Sequence, residues 1–331
     1  MRTIALEEAF WTDSLQTAGA YRDPWASQEL ARLMAPEMLA HVGERIGDVA
    51  ELRLADMDAA GVDIQVLSLT APGIQGQPDV KVAIDDARRA NDFLAEAIAS
   101  HPTRFAGLAA LPLQDPDAAV KELQRAAALG LHGALVNGPT LGHYLDDRQY
   151  DPVWAMLEQL DAPLYLHPTL GAEDDRWAVL EGHPELQAAM YRWASDTGGH
   201  AMRVIFGGVF DRFPGARLIL GHMGEYLPFQ LARFDSMAEK TRLPFELRKP
   251  PSRYVQDNIL ITTSGVCSTA ALLGAVYAIG IDNVMFAIDY PYEHSGPAVD
   301  FLRRLPLAPA DLAKIAHGNA ERVLKIRPEG R

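Results

Sequence analysis

Cysteine is almost missing from this chain of 331 residues, which contains only Cys267. A single cysteine excludes an intrachain disulfide and fits a protein of a reducing compartment. Long apolar runs are missing as well, because no stretch reaches the roughly 20 residues that a membrane-spanning helix needs. The first residues lead into a strand-like segment instead of a signal region. We therefore expect a cytoplasmic protein without a membrane partner.

Positive charge is also scarce in this sequence. Lys and Arg number 30 against 44 Asp and Glu, so the formal net charge is −14. Nucleic acids and anionic membranes bind clustered Lys and Arg residues, and the composition argues against both partners. A small anionic substrate is compatible with it, because a metal ion and a few arginines decide the local field at a site.

No Ser/Gly linker, charge block or low-complexity tract divides the sequence, so we predict one domain over residues 1–331. Segments of helical spacing alternate with eight short apolar runs, which cover residues 3–10, 63–70, 105–112, 133–139, 162–168, 217–224, 259–265 and 283–291. This alternation favours an α/β fold of the (β/α)₈ TIM-barrel type. The competing open, doubly wound sheet is disfavoured because no Gly-rich phosphate turn follows the first run.

Two connections are unusually long for a barrel. They follow the first and fifth strands and cover about residues 11–50 and 169–199. Both would start on the active-site side of a barrel, and we interpret them as candidate lids. The alternative is that they only pack against the outside of the barrel. A clear helix-start signal, Asp115 followed by Pro116, marks one of the shorter connections.

Four of the runs end near residues that bind metals or transfer protons. Glu7, His167, His222 and Asp289 belong to the first, fifth, sixth and eighth runs. In a (β/α)₈ barrel the catalytic groups project from the carboxyl ends of the strands, so the four side chains are expected to converge. Each alone has an ordinary structural explanation, such as an ion pair, a core histidine, a turn or a helix cap. Their combination favours a site.

The first run contains two adjacent acids. Successive side chains of a strand face opposite sides, so Glu7 and Ala9 share one face and Glu8 has the other. An inward-facing Glu7 needs a metal ion or another cation inside an apolar barrel. Glu8 would then point into the layer between strands and helices and would need a partner of its own.

The residue types at the strand ends predict a divalent metal site. Carboxylate and imidazole ligands with open positions suit Zn²⁺ or Mn²⁺, and the number of oxygen donors makes Mg²⁺ reasonable as well. Near the sixth run, Glu225 can hydrogen-bond His222, fix its tautomer and raise its basicity. The alternative for this segment is a tight turn with solvent-facing polar groups.

Together, the motifs resemble those of the amidohydrolase superfamily, in its branch of metal-dependent, non-oxidative decarboxylases of ortho-hydroxybenzoates. The similarity extends over essentially the whole chain, from ALEEAF at residues 5–10 to HGNA at 317–320, and includes QVLSLTAPG at 65–73, AALPLQD at 109–115 and DYPYE at 289–293. Within the branch, the sequence looks most like the enzymes that act on 2,3-dihydroxybenzoate. Those that act on 5-carboxyvanillate and gamma-resorcylate are also similar.

The resemblance implies that Glu7, His167 and Asp289 bind one divalent metal ion. Ala9 stands where most members of the superfamily have a ligand histidine, so these motifs supply at most three protein ligands. The enzymes acting on 2,3-dihydroxybenzoate share this alanine, so Ala9 is compatible with an active site. The resemblance implies no organic cofactor, and it implies a homodimer or homotetramer.

The resemblance also implies roles for residues around the metal. His222 matches the acid–base histidine of the branch, and Glu225 matches its orienting partner. Arg53 and Arg233 match positions that can hold the carboxylate of a small aromatic acid substrate. For each arginine, the alternative is a surface salt bridge on a helix.

The expected reaction is loss of CO₂ from an ortho-hydroxybenzoate that chelates the metal through its phenolate and carboxylate oxygens. Direct loss would leave an aryl carbanion of high energy, so we expect Asp289 and His222 to protonate the ring carbon first. One alternative is a hydrolase or hydratase of the same superfamily that acts on a lactone or ring-fission product. Another is a non-catalytic barrel that binds an aromatic ligand.

Overall fold

The computed structural model describes residues 1–15, 34–169, 177–243 and 246–326. Its strands pair in parallel, β1 to β3 in order and β4 to β9 in order. They are Ile4–Phe10 (β1), Ile64–Leu69 (β2), Phe105–Gly107 (β3), Ala109–Ala110 (β4), Ala134–Asn137 (β5), Leu164–His167 (β6), Leu218–Leu220 (β7), Ile259–Thr262 (β8) and Val284–Met285 (β9). β3 and β4 both belong to the third predicted run, so eight runs give nine strand segments.

A backbone bridge between Leu6 and Ala287 brings the last strand against the first. The amide of Leu6 donates to the carbonyl of Phe286 at 3.1 Å. The strands therefore close into a ring, which confirms the predicted (β/α)₈ barrel. The prediction of one domain over residues 1–331 includes residues outside the described ranges and stays a prediction.

Helices alternate with the strands along the chain. They are Pro36–Arg45, Glu51–Ala60, Val80–Ser100, Pro116–Ala128, Asp151–Leu160, Arg192–Phe206, Val209–Arg212, Leu231–Ala238, Pro251–Asn258, Thr269–Ile279, Ser295–Arg303, Pro309–Ala313 and Asn319–Leu324. The predicted helix start is confirmed, since Asp115 accepts a hydrogen bond from the amide of Ala118 at 3.0 Å and Pro116 is the first helical residue. Among the helices in the described ranges, none is both long and apolar enough for a membrane crossing.

The apolar core has an inner and an outer part, and alternation along the strands decides which residues belong to each. Tyr165 lies in the cluster inside the barrel, whereas Leu166 packs in the cluster between strands and helices. His167 therefore continues the inward row of Tyr165. In the same way Asp289 continues the row of Ala287, which is also an inner residue.

β1 departs from strict alternation. Leu6 belongs to the inner cluster, and strict alternation would turn Glu7 outward. A bulge shifts the register to β2 between Ala5 and Glu8, and Glu7 has a left-handed backbone conformation with φ of 65°. The bulge directs Glu7 to the interior and Glu8 to the layer outside. The predicted faces of the two acids are therefore confirmed, but a bulge sets them.

An apolar plug fills the amino-terminal end of the barrel. The helix Asn319–Leu324 contributes Val323 and Leu324 to the inner cluster, where both are buried. Asn319 anchors this helix by donating to the carbonyl of Val284, the first residue of β9, at 2.8 Å. The polar strand ends lie at the opposite end.

The two long connections lie only partly within the described residues, which leave out 16–33 of the first and 170–176 of the second. The second is not a loop as far as residue 199, because helix Arg192–Phe206 begins inside it. That part of the prediction was wrong, because residues 192–199 belong to the helix, in which Gly198 is buried. It permits close packing, since a Cβ at Gly198 would lie 2.6 Å from the carbonyl oxygen of Glu225. The role of both connections as lids stays a prediction.

Candidate metal and catalytic site

Four polar side chains converge at the carboxyl ends of the strands. Glu7, His167, His222 and Asp289 each offer one ligand atom, and the four atoms lie within 4.8 Å of one another. They come from β1, the end of β6 and the segments that follow β7 and β9. The structure thus brings together the four residues that the strand-end pattern predicts.

Three hydroxyl groups hold one oxygen of Glu7. Oε2 accepts hydrogen bonds from Tyr165, Thr262 and Ser264. The sequence analysis missed these residues, although their spacing carried a signal. Tyr165 precedes His167 by two residues, and Thr262 and Ser264 are also two apart, so each pair can face one side of its strand. The hydroxyl groups orient Glu7 and satisfy one of its two oxygens.

The second oxygen of Glu7 points to a cation. Oε1 is buried and has no hydrogen-bond partner among the described residues. It lies 3.6 Å from Nε2 of His167 and 3.5 Å from Nε2 of His222. Together with Asp289, these atoms form the mixed oxygen and nitrogen set that Zn²⁺ and Mn²⁺ accept. The residues present therefore fit a divalent metal ion.

His222 lies on a left-handed turn. Residues 222–226 all have positive φ, between 49° and 82°. The turn brings Oε1 of Glu225 to 2.7 Å from Nδ1 of His222, which is the contact that the sequence predicts. With Nδ1 engaged, Nε2 is directed at the cluster and lies 3.7 Å from Oδ2 of Asp289.

Burial and neighbouring charges shift the acid–base properties of this group. Burial raises the pKa of Asp289 to about 7, and the neighbouring imidazole of His222 acts in the opposite direction. Burial lowers the pKa of His222, but the carboxylates of Glu7 and Glu225 outweigh burial, and its pKa lies well above the usual value. A carboxyl group that can hold a proton near neutral pH thus adjoins an imidazole that keeps one. This combination is typical of acid–base sites.

His167 has the opposite character. Burial lowers its pKa to about 4, although the carboxylate of Glu7 acts in the opposite direction. At neutral pH the imidazole is therefore uncharged, which is the form that binds metal ions. The two histidines of the cluster thus differ: His167 suits a metal ligand, and a protonated His222 suits proton transfer.

Arg53 does not lie on the surface, so the surface salt bridge considered for it is wrong. It is fully buried, and all three nitrogens of its guanidinium group donate hydrogen bonds. The acceptors are the carbonyl of Asp48 at 2.9 Å, Oε1 of Gln65 at 3.1 Å and the carbonyl of Ala9 at 2.6 Å. A substrate carboxylate would have to compete with these contacts. Substrate binding by Arg53 stays a prediction that this geometry does not favour.

Arg233 is an exposed residue of helix Leu231–Ala238. Its predicted contact with a substrate carboxylate stays a prediction.

Comparison with known proteins agrees with the geometry of this site. The model of the amidohydrolase family matches residues 19–326. A gamma-resorcylate decarboxylase of Rhizobium radiobacter is 41% identical over 314 residues, which cover 92% of this chain and 95% of the relative.

Two solved structures share the fold over nearly their whole length. A dihydroxybenzoic acid decarboxylase from Polaromonas sp. JS666, with bound manganese and the inhibitor 2-nitroresorcinol, has a TM-score of 0.90 and 36% identity, with 99% of this chain and 98% of the other covered. The 5-carboxyvanillate decarboxylase of Sphingomonas paucimobilis has a TM-score of 0.90 and 39% identity, with 98% and 99% covered.

The chain belongs to the amidohydrolase family. Its relatives confirm the predicted branch, that of the hydroxybenzoate decarboxylases, and the protein is accordingly a carboxy-lyase.

Proposed function

We propose that this enzyme removes CO₂ from ortho-hydroxybenzoates in a non-oxidative, metal-dependent reaction. The observation that carries the proposal is the unpartnered Oε1 of Glu7, which faces two imidazole nitrogens. These atoms lie at the carboxyl ends of the strands, which form the mouth of the barrel. The manganese bound in the Polaromonas structure and the activities named for the relatives support it.

Glu7, His167 and Asp289 would hold the metal ion. When bound, a divalent ion stabilises the phenolate and carboxylate of an ortho-hydroxybenzoate and fixes the orientation of the ring. The ligand set is compatible with Mn²⁺, Zn²⁺ and Mg²⁺, and the manganese of the relative favours Mn²⁺. We propose no organic cofactor, because the ortho oxygen of the substrate can take up the electron pair.

Asp289 and His222 would deliver the proton. The carboxyl group of Asp289 transfers its proton to the ring carbon that bears the carboxylate, and the ring loses its aromaticity. The bond from this carbon to the carboxylate then breaks, CO₂ leaves, and the electron pair of that bond restores the ring. His222, whose Nε2 lies 3.7 Å from Oδ2 of Asp289, returns a proton to Asp289. Glu225 keeps the imidazole oriented.

The proposed substrates share a hydroxyl group beside the carboxylate. The sequence motifs favour 2,3-dihydroxybenzoate, whereas the relatives are named for gamma-resorcylate and 5-carboxyvanillate. All three acids have the ortho hydroxyl that the reaction requires, so the class is better supported than any one member.

Metal analysis followed by a substrate screen tests the proposal. The protein is assayed for Mn, Zn and Mg and then incubated with the three acids, while loss of acid and appearance of phenol are followed. We expect CO₂ release that a chelator abolishes and added Mn²⁺ restores. The 2-methoxy ether of 2,3-dihydroxybenzoate is the control, because it cannot form the ortho phenolate.

The outcomes separate the alternatives. Efficient turnover of the ether would contradict chelation by the ortho oxygen. Bound metal without decarboxylation of any acid would favour a hydrolase or hydratase acting on a lactone or ring-fission product. Absence of metal and of turnover would favour a barrel that only binds an aromatic ligand.

We also propose a homodimer or homotetramer in the cytoplasm, with a small aromatic acid as its ligand and without a nucleic-acid or membrane partner. The resemblance suggests the assembly, and the single cysteine and the acidic composition support the rest. Light scattering after size-exclusion chromatography measures the assembly directly.

A further inference from the structure

Glu8 is a buried acid that the proposed reaction does not use. Its side chain is 0% exposed and points away from the cluster that contains Glu7. It lies where β1 meets the segment that follows β9. Two backbone hydrogen bonds cross this junction, from Leu6 to Phe286 at 3.1 Å and from Ala9 to Tyr290 at 2.7 Å.

The carboxylate of Glu8 brackets Asp289. Oε1 accepts the amide of Ile288 and Oε2 accepts the amide of Tyr290, each at 3.0 Å. These are the residues immediately before and after Asp289. Buried amides need acceptors, and this one side chain supplies both.

Asp289 needs such support because its backbone is left-handed, with φ of 81°. A residue with a Cβ adopts this conformation only where its surroundings impose it. The amide of Tyr290 belongs to the peptide plane that follows Asp289, and the amide of Ile288 belongs to the plane that precedes Ile288. Glu8 therefore restrains the backbone before and after Asp289 and limits its rotation. Glu8 thereby fixes the direction in which the Asp289 side chain leaves the backbone.

Arg53 also contacts both chain segments that Glu8 joins. Its guanidinium group donates to the carbonyl of Ala9 and lies over the ring of Tyr290, 4.6 Å from the centroid. Its positive charge also favours the ionised form of Glu8, in opposition to burial, which raises the pKa of that acid. Arg53 thus holds the residues that follow Glu8 and Asp289, the same pair that Glu8 joins.

We propose that Glu8 is a positioning residue, which joins β1 to the Asp289 segment and sets the geometry of the ligand pair Glu7 and Asp289. The inference rests on the proposed metal site. It assigns Glu8 to the support of the Asp289 segment, and Arg53 to the support of Ala9 and Tyr290, the residues that follow Glu8 and Asp289.

Mn²⁺ affinity of Glu8→Gln tests the assignment. The substitution keeps the size of the side chain, but the amide nitrogen of glutamine cannot accept a hydrogen bond. One of the two backbone amides that Glu8 holds therefore loses its acceptor. Free Mn²⁺ is measured by electron paramagnetic resonance during titration of the metal-free protein. We expect the dissociation constant to rise by about 10- to 100-fold, the usual effect of losing an outer-shell partner.

Glu122→Gln is the matched control. Glu122 is also a buried acid, 3% exposed, and its carboxylate is bonded to Asn91 at 2.7 Å and to Arg125 at 2.9 Å. It belongs to helix Pro116–Ala128, faces helix Val80–Ser100 through Asn91, and is not one of the metal ligands. We expect this variant to keep the wild-type Mn²⁺ affinity within about twofold. Wild-type affinity in Glu8→Gln, or an equal loss in both variants, would overturn the proposal.

Hydrogen exchange of the metal-free protein gives a second readout that needs no metal. Glu8→Gln should exchange faster than the wild type in residues 286–291, while Glu122→Gln should not. Unchanged exchange in this segment would overturn the positioning role. If the wild type bound no Mn²⁺, the metal site would be refuted, and this exchange measurement alone would decide whether Glu8 restrains Asp289.

Discussion

The two ends of the barrel are built differently. At the carboxyl ends of the strands, buried acids and imidazoles accompany non-glycine residues with left-handed backbones, which include Glu7, His222, Met223, Glu225, Tyr226 and Asp289. At the amino-terminal end, helix Asn319–Leu324 packs apolar side chains into the barrel. Asp161 and Lys325 also have positive φ near that end, but each ends a helix, where this conformation is common.

The comparison separates function from stability. A left-handed non-glycine residue or a buried acid destabilises the folded state, and such features persist where they position reacting groups. Buried apolar side chains make the opposite contribution. Substitutions at the mouth should therefore remove activity and leave the fold intact. Substitutions in the plug should instead lower the stability of the fold and leave activity intact.

Asp289→Asn should have the largest effect on turnover. Asparagine keeps the shape of the side chain but cannot donate the carboxyl proton, so kcat should fall by about 1,000-fold or more. The metal-free variant should be no less stable than the wild type, because the change removes a buried acid whose pKa burial raises. Steady-state assays and thermal unfolding measure the two effects. Turnover within tenfold of the wild type would exclude Asp289 as the proton donor.

His222→Asn should lower kcat by about 100-fold, because it removes the group that returns the proton. Bound metal, measured by elemental analysis, should stay at the wild-type level. Glu225→Gln is a milder companion, expected to lower kcat by about tenfold because it disturbs only the orientation of the imidazole. Loss of metal from His222→Asn would instead identify His222 as a ligand.

Leu324→Ala tests the other end of the barrel. Leu324 is 1% exposed inside the plug, and its truncation should lower the free energy of unfolding by about 2–5 kcal/mol. Well below the melting temperature, kcat and KM should match the wild type, because the plug lies at the opposite end from the cluster. A drop in kcat as large as that of His222→Asn would show that the two ends are coupled.

The positions of the site residues could be predicted because parallel strands of a barrel end on one face. That rule alone brought Glu7, His167 and Asp289 together, although more than 100 residues separate consecutive members of the set. The roles of the residues came from the family resemblance. Arg53 shows the limit of this approach, since the resemblance suggested a substrate contact and the alternative was a surface salt bridge, and neither predicted that its guanidinium group is buried against backbone carbonyls and Gln65.

The local geometry of the mouth could not be predicted, because it depends on distant partners. Alternation puts Leu6 and Glu7 on opposite faces, yet a bulge turns both inward. Hydroxyl groups from β6, β8 and the residues after β8 then hold Glu7 in place. The left-handed turn at 222–226 is equally hidden, since only Gly224 among its residues is of a type that favours positive φ.

A buried imidazole outside the mouth, that of His200, should affect stability and leave catalysis unchanged. His200 is 2% exposed, and its Nε2 accepts the amide of Leu145 at 2.8 Å. Burial lowers its pKa to about 3, against roughly 6.5 in the unfolded chain. Below pH 6.5 the unfolded chain therefore binds a proton that the native protein does not, and stability is lost as the pH falls toward 3. At pH 5 the loss from this residue should be about 2 kcal/mol.

Denaturant unfolding of the wild type and His200→Gln between pH 7.5 and pH 5 measures this contribution. The variant should lose less stability over that range than the wild type, and kcat at neutral pH should not change. His167 contributes in the same direction, since burial lowers its pKa to about 4, so some acid sensitivity should persist in the variant. Equal pH dependence in both proteins would contradict a neutral, buried His200.

The smallest expected effect concerns the strain at Tyr226, whose φ is 67° and whose side chain is 45% exposed. At an ordinary position, glycine is less stable than alanine by about 0.5–1 kcal/mol. At Tyr226 the order should reverse, with Tyr226→Gly more stable than Tyr226→Ala by about 1 kcal/mol, because only glycine adopts the left-handed conformation freely. Both variants lose the ring, so their difference isolates the backbone. Denaturant unfolding of the two proteins measures it, and a Gly variant less stable than the Ala variant would show that the turn bearing His222 and Glu225 is not strained at this residue.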